Sequence, residues 1–207
     1  MELTFDDIAM DLDNLGYPLD LDRVFSRSAP LHVEVGSGKG TFLLNQAGAL
    51  ADVNFLGIEW ANKFYRYCVD RLRRWQMENV RVVRADARDF IRLYLPDESV
   101  EWFHIYFPDP WPKKRHHKRR FFTEDNMGQV LRTLKAGGRL QVATDYEEYY
   151  EVIRDLLTGD GDTAKPFEEI AFQPPKSAAA GEWVGSNFER KYQADGREIY
   201  TLALRKR

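Results

Sequence analysis

The sequence predicts a Rossmann-like α/β fold, a mostly parallel seven-stranded sheet with helices on both faces. Three observations predict it. Short apolar, β-prone runs alternate with amphipathic helical stretches from Leu31 to about Leu157, the order that right-handed crossovers build into a parallel sheet. A glycine-rich turn, Gly36-Ser37-Gly38-Lys39-Gly40, joins the first run to the first helix. Acids recur where strands end, at Glu34, Glu59, Asp86, Asp109 and Asp145, and open parallel sheets bind ligands beyond those carboxyl ends.

A chain of 207 residues supports one sizeable core and is short for two. A single cysteine, Cys68, excludes a disulfide framework and any cysteine-rich zinc site. No apolar run approaches membrane-spanning length, and the start lacks the cationic and apolar blocks of a signal peptide, so a cytoplasmic protein with no membrane association is expected. The net charge of −3 does not announce a polyanion binder, but its distribution does. Asp6, Asp7, Asp11, Asp13, Asp20 and Asp22 make the opening acidic, whereas Lys113 to Arg120 is concentrated cation.

Residues 1–30 show weak periodicity, with Gly16 and Pro18 as breakers, and read as a loosely packed acidic lead-in to a domain spanning 31–207. Leu31 to Val35 is the first strand, followed by a helix from Thr41 to about Leu50. Asn54 to Ile58 is a second strand, and Asn62 to Met77 a long helix carrying Lys63, Arg66, Arg71, Arg73 and Arg74. Val80 to Arg84 and Val100 to Phe107 are the third and fourth strands, with a helix from Arg88 to Leu95 between them. A helix from Thr123 to Leu134 is expected to stop at Ala136-Gly137-Gly138. Arg139 to Ala143 is the fifth strand, then a helix to about Leu157. Residues 159–185 are loop-rich around a strand from Phe167 to Phe172, and a last strand runs from Glu198 to Leu204.

The glycine loop by itself is a generic strand-to-helix turn. It fails as a phosphate-binding P-loop, which needs Gly and Ser or Thr where Val33 and Gly40 stand. It also fails the dinucleotide fingerprint, whose third glycine falls at Thr41. Glu59, at the end of the next strand, sits where an acid binds ribose hydroxyls in such folds. Glu34 beside the loop would repel a pyrophosphate and suits a cationic ligand; S-adenosyl-L-methionine carries a sulfonium, an ammonium and no phosphate.

The most specific stretch is Phe107-Pro108-Asp109-Pro110-Trp111-Pro112, running into Lys113-Lys114-Arg115-His116-His117-Lys118-Arg119-Arg120. Prolines fix their own φ and restrict the residue before them, so Asp109 is a rigid acid next to a cation block. A charge run alone is usually a solvated face, but that gives no reason for Asp-Pro-Trp-Pro to precede one. His116 and His117 lack acidic or thiol partners at ligand spacing, so no metal site is expected, and His32 and His104 read as core histidines.

Taken in order, Glu34-x-Gly-x-Gly-x-Gly, Gly57-Ile58-Glu59, Asp86-Ala87, the Pro108 to His116 segment and Thr144-Asp145 resemble bacterial tRNA (guanine-N7)-methyltransferases. The resemblance implies a class I methyltransferase fold, S-adenosylmethionine as donor, and a variable-loop guanine of tRNA, position forty-six, as acceptor. It implies cofactor contacts at Glu34, Gly36, Gly38, Gly40, Glu59, Asp86, Ala87 and Asp109, with Asp109 also catalytic. It further implies substrate contacts at Lys113, Asp145 and the segment Ser186-Asn187-Phe188-Glu189, and RNA contacts from Arg115, His116, His117, Lys118, Arg119 and Arg120. Serine at 186 replaces the family threonine and keeps its hydroxyl, and the acidic opening stands where the family often has basic residues. A monomer or homodimer without an obligate protein partner is expected. Two alternatives remain: a class I methyltransferase acting on protein or a small molecule, which has no use for the cation block, and a non-catalytic RNA-binding module.

Overall fold

A computed structural model describes residues 2–207. Eight strands form one sheet: β1 (Ala9–Met10), β2 (Leu31–Val35), β3 (Asn54–Ile58), β4 (Val80–Val83), β5 (Val100–Tyr106), β6 (Leu134–Thr144), β7 (Phe167–Glu169) and β8 (Tyr200–Lys206). Their spatial order is β1-β4-β3-β2-β5-β6-β8-β7. The run from β1 to β6 is parallel, and β8 returns antiparallel between β6 and β7. Because the chain passes from β4 on one flank of β2 to β5 on the other, the crevice above β2 and β5 is where such a sheet holds a ligand.

Helices cover both faces. The first two after the short N-terminal turns, α3 (Thr41–Ala49) and α4 (Asn62–Arg74), follow α1 (Phe5–Ile8) and α2 (Leu21–Phe25) and pack Leu43, Leu44, Cys68, Val69 and Leu72 against Phe55, Val80 and Val82. On the other face α5 (Ala87–Tyr94), α6 (Glu124–Thr133) and α7 (Glu147–Thr158) pack Phe90, Ile91, Met127, Val130, Tyr149 and Ile153 against Val33, Phe103, Ile105 and Val142. Among the described residues no helix is long and apolar enough to cross a membrane.

The structure corrects several expectations. The sheet has eight strands, not seven, because β1 rises from the acidic lead-in and pairs with β4. That lead-in packs closely: Ile8, Met10, Leu19 and Phe25 are buried, apolar residues too irregularly spaced to register as a periodic pattern. The Ala136-Gly137-Gly138 stretch lies inside β6, where a register break between Val100 and Trp102 takes up the extra residues and Gly137 adopts φ of 74°. A further helix, α8 (Asn187–Ala194), forms between the loop-rich stretch and the last strand, where no element was expected.

A polar column crosses the buried centre of the sheet. Tyr106 donates its hydroxyl proton to Gln141 Oε1 at 3.1 Å, so its oxygen accepts from His104 Nδ1 at 2.8 Å. His104 Nε2, 3.1 Å from His32 Nδ1, must then be the acceptor, and His32 the donor. Burial pushes His32 down to about 4 and His104 well below the usual histidine range, which keeps both rings neutral.

Candidate active site

The carboxyl ends of β2 to β5 open into one cleft of about 930 Å³. Its floor is the turn after β2, where Gly36, Gly38 and Gly40 hold φ of 80°, 54° and 67°; Gly36 and Gly38 line the cleft, whereas Gly40, expected to contact the cofactor, is buried behind them. The Gly36 and Ser37 amides both donate to the Ile58 carbonyl, stitching the loop to β3. At Gly40 space is as restrictive as φ, since a Cβ would come within 2.4 Å of Cys68 Sγ.

Two acids face this loop from adjacent strands. The Glu59 carboxylate accepts from the Gly38 amide at 2.8 Å and the Ala61 amide at 2.7 Å, fastening the loop to the start of α4. Each oxygen keeps a lone pair for a ligand hydroxyl. Glu34 is 6% exposed, and its enclosed Oε2 has no hydrogen-bond partner. Burial, with the nearby Glu59 charge adding to it, pushes the Glu34 carboxyl well above the usual range. An enclosed acid oxygen lacking a donor is complementary to an ammonium and hostile to phosphate. The site therefore fits S-adenosylmethionine and not a nucleotide pyrophosphate.

Asp86 and Ala87 bound the cleft at the head of α5. Asp86 caps that helix through the Arg88 amide at 2.9 Å, and the Arg88 guanidinium grips both its oxygens at 3.0 and 2.6 Å. That grip holds the Asp86 carboxyl below the usual range.

On the other side, β5 delivers the chain to Phe107, Pro108, Asp109, Pro110 and Trp111. Phe107 and Trp111 hold φ of 53° and 43°, positions that cost a non-glycine residue roughly 1–2 kcal/mol each. Arg120 holds this turn from behind. Only 5% exposed, it donates from Nε to the Pro110 carbonyl at 2.8 Å and lies 4.6 Å over the Tyr149 ring. The expectation that Arg120 contacts RNA is thereby corrected: its guanidinium is enclosed by the protein it braces. His117 is also half-buried, with an enclosed Nε2. Lys113, Lys114, Arg115, Lys118 and Arg119 stay exposed along the short 3₁₀ segment Lys114–Arg119 and its start. Trp111 is clasped by Arg119 at 4.9 Å over its face and by His116 edge-on at 5.7 Å.

The segment Ser186 to Glu189 divides its roles. Ser186 caps α8, accepting from the Glu189 amide at 3.1 Å. Asn187 donates to Thr41 Oγ1 at 2.8 Å, tying α8 to the head of α3. Both line the cleft with half-exposed Phe188. Glu189 does not reach it, correcting the substrate-contact expectation. Fully buried, its carboxylate accepts from the amides of Trp183, Val184 and Gly185 and so shapes the turn before α8. Lys113 and Asp145 also stand apart from the cleft lining; Asp145 is paired with Arg197 at 2.6 Å. Trp60, Phe64, Tyr106 and Lys191 line the cleft without having been singled out from sequence. The available signal was Trp60 directly after the strand-end acid Glu59, and Phe64 in the first turn of a cationic helix.

The strand order, the antiparallel return of β8 and the acid-rimmed glycine loop define a class I methyltransferase fold. Solved structures share it: an S-adenosylmethionine-dependent methyltransferase from Aquifex aeolicus matches 93% of this chain and 91% of its own, with TM-score 0.57 at 14% identity. An antibiotic-related methyltransferase matches 99% and 96%, with TM-score 0.61 at 13% identity. A family model described as "Putative methyltransferase" matches residues 28–202. Relatives named tRNA (guanine-N(7)-)-methyltransferase include one from Alkalilimnicola ehrlichii, 36% identical over all of this chain and 85% of its own length. One from Halorhodospira halophila is 34% identical over 91% of this chain and 80% of its own. The chain belongs to the tRNA (guanine-N(7)-)-methyltransferase family.

Proposed function

We propose that this chain transfers the methyl group of S-adenosylmethionine to N7 of a guanine in tRNA, the variable-loop guanine at position forty-six, forming N7-methylguanosine in the cytoplasm. Family membership supports the reaction class and the acceptor. The observation that carries the reading is one cleft joining three things: the unpaired Glu34 carboxyl, the Glu59-fastened glycine loop and the rigid Asp109 turn, with Arg119 at its edge.

When bound, S-adenosylmethionine supplies an electrophilic methyl carbon on a positively charged sulfur. Glu34 offers its enclosed oxygen to an ammonium, Glu59 its remaining lone pairs to ribose hydroxyls, and Asp86 with Ala87 closes the neighbouring wall. Guanine N7 has a lone pair and no proton, so no base is needed to create the nucleophile. The protein's work is alignment and electrostatics. Asp109 accepts the guanine's N–H donors and stabilises the cation that forms as N7 is alkylated. Lys113, Lys114, Arg115, Lys118 and Arg119 grip phosphates without reading sequence, leaving selection to tRNA shape and a splayed-out base.

The test is incubation of bulk tRNA with methyl-labelled S-adenosylmethionine, followed by digestion to nucleosides. Label in N7-methylguanosine supports the proposal. Label in another nucleoside, or cofactor binding without transfer to any tRNA, overturns it.

A further inference from the structure

We propose that α4 carries a second RNA-binding surface, a stripe of exposed rings and cations that stacks an unpaired nucleotide of the tRNA beside the cleft. The proposal rests on the tRNA reading above. Residues three apart share a helical face, so Phe64 and Tyr67 lie together on α4, and Trp60 stands just before the helix, which begins at Asn62. Trp60, Phe64 and Tyr67 are 68%, 39% and 48% exposed, whereas Cys68, Val69 and Leu72 on the opposite side are buried. Packing does not account for two large rings left in solvent on one face of α4 with a third at its entry.

Cations lie among the rings. Lys39 Nζ stands 6.0 Å over the Tyr67 ring, exposed Lys63 adjoins Phe64, and exposed Arg74 continues the line two turns beyond Tyr67. α4 holds five cations, Lys63, Arg66, Arg71, Arg73 and Arg74, against one acid. That acid, Asp70, is shared by Arg73 at 3.0 Å and Arg74 at 2.9 Å. Rings interleaved with positive charge match a ligand offering a base face and a phosphate at every unit, which is single-stranded nucleic acid.

Position supports the choice. β3 and β5 both pair with β2, one on each side, so α4 and the Lys114–Arg119 segment leave the sheet flanking the glycine loop. Trp60 and Phe64 line the cleft together with Trp111 and Arg119. At 1.5 Å per residue the helical stripe from Phe64 to Arg74 runs roughly 15 Å, the length of a few nucleotides. A duplex hides its base faces, so the occupant is an unpaired nucleotide next to the acceptor guanine.

The test uses Tyr67→Ala, Tyr67→Phe and the double variant Lys63→Gln/Arg74→Gln, all away from the cleft lining. Tyr67→Ala is expected to raise the tRNA Kd roughly tenfold, with S-adenosylmethionine affinity and thermal midpoint unchanged. Tyr67→Phe, which keeps the ring, should bind as the wild type does. The double variant should lower the slope of log Kd against log salt by about 0.7–0.9 for each phosphate no longer neutralised. Variants with wild-type Kd and slope, beside a wild type that methylates tRNA, overturn the surface alone; a wild type that does not bind tRNA overturns both readings. Loss of a sedimenting dimer in Tyr67→Ala without change in tRNA binding would make the stripe a self-association face and overturn the proposal.

Discussion

On the donor side of the cleft, Gly38 meets Glu59 only 21 residues away, and the other ties join neighbouring parallel strands or residues two apart. On the acceptor side, Asn187 reaches Thr41 across 146 residues, and Glu189 and Arg120 each brace a turn from inside the protein. The first side is complete once three strands align. The second exists only when the C-terminal segment has closed over the sheet, so a substitution there disturbs geometry before it disturbs affinity.

The largest effect expected from this contrast is at the chemical step. Asp109→Asn keeps the shape of the acceptor turn but turns N–H groups toward the guanine's own N–H donors. It should slow single-turnover methyl transfer by roughly 10²–10³-fold, the cost of losing one preorganised electrostatic contact. The tRNA Kd should move only a few-fold, because affinity rests on the exposed cations. A comparable loss in Kd would show that Asp109 binds and does not act on the chemistry.

Next is Glu189→Ala, which leaves the Trp183, Val184 and Gly185 amides without their buried acceptor. Unsatisfied buried donors cost about 1–3 kcal/mol each, so a destabilisation of roughly 3 kcal/mol or more is expected. Thermal unfolding should show a midpoint lowered by about 10 °C. Phe188→Ala, one residue away and half-exposed, should leave the midpoint nearly unchanged. Equal shifts in the two would remove the distinction between brace and contact.

On the donor side the expected change is in cofactor affinity. Glu59→Ala should weaken S-adenosylmethionine binding by roughly one to two decades, the worth of a charged hydrogen-bond acceptor. Titration calorimetry on folded variant decides it, and unchanged affinity would leave Glu59 as only a fastener of the glycine loop.

The smallest effect is a proton count. Glu34 without a ligand holds its proton to higher pH than an ordinary glutamate, because ionising a buried carboxyl is unfavourable. A bound ammonium lowers that pKa, so binding should release up to one proton and tighten as pH rises from the ordinary glutamate range toward Glu34's own raised value. Calorimetry in buffers of different ionisation enthalpy measures the release, and Glu34→Gln should abolish it. Proton uptake on binding would mean that the acid does not meet a cation.

The same contrast governs how much the sequence discloses. The strands, the glycine loop and the acids Glu34, Glu59 and Asp86 are legible because each is local: a run, a turn, a residue at a strand end. Arg120 and Arg119 are adjacent and chemically identical, yet one is interior and one is exposed. Only the tertiary position of the Pro110 carbonyl and Tyr149 separates them. Glu189 reads as a motif acid until three amides from the preceding turn are seen to converge on it. The lead-in hid its core residues for a related reason, since a two-residue strand with scattered apolar neighbours has no period to detect.

The packing of Gly40 on Cys68 turns a steric detail into a clock. Cys68 is the chain's one cysteine, fully enclosed, and burial pushes its thiol up, so it is neither charged nor accessible at neutral pH. A thiol-directed label reaches it only through an opening that lifts the Gly40 turn or parts the apolar cluster of Ile8, Leu43 and Leu72 packed around it. With label in excess enough to outpace reclosing, the labelling rate is an opening rate, and the part of it that S-adenosylmethionine slows is the part that belongs to the glycine loop.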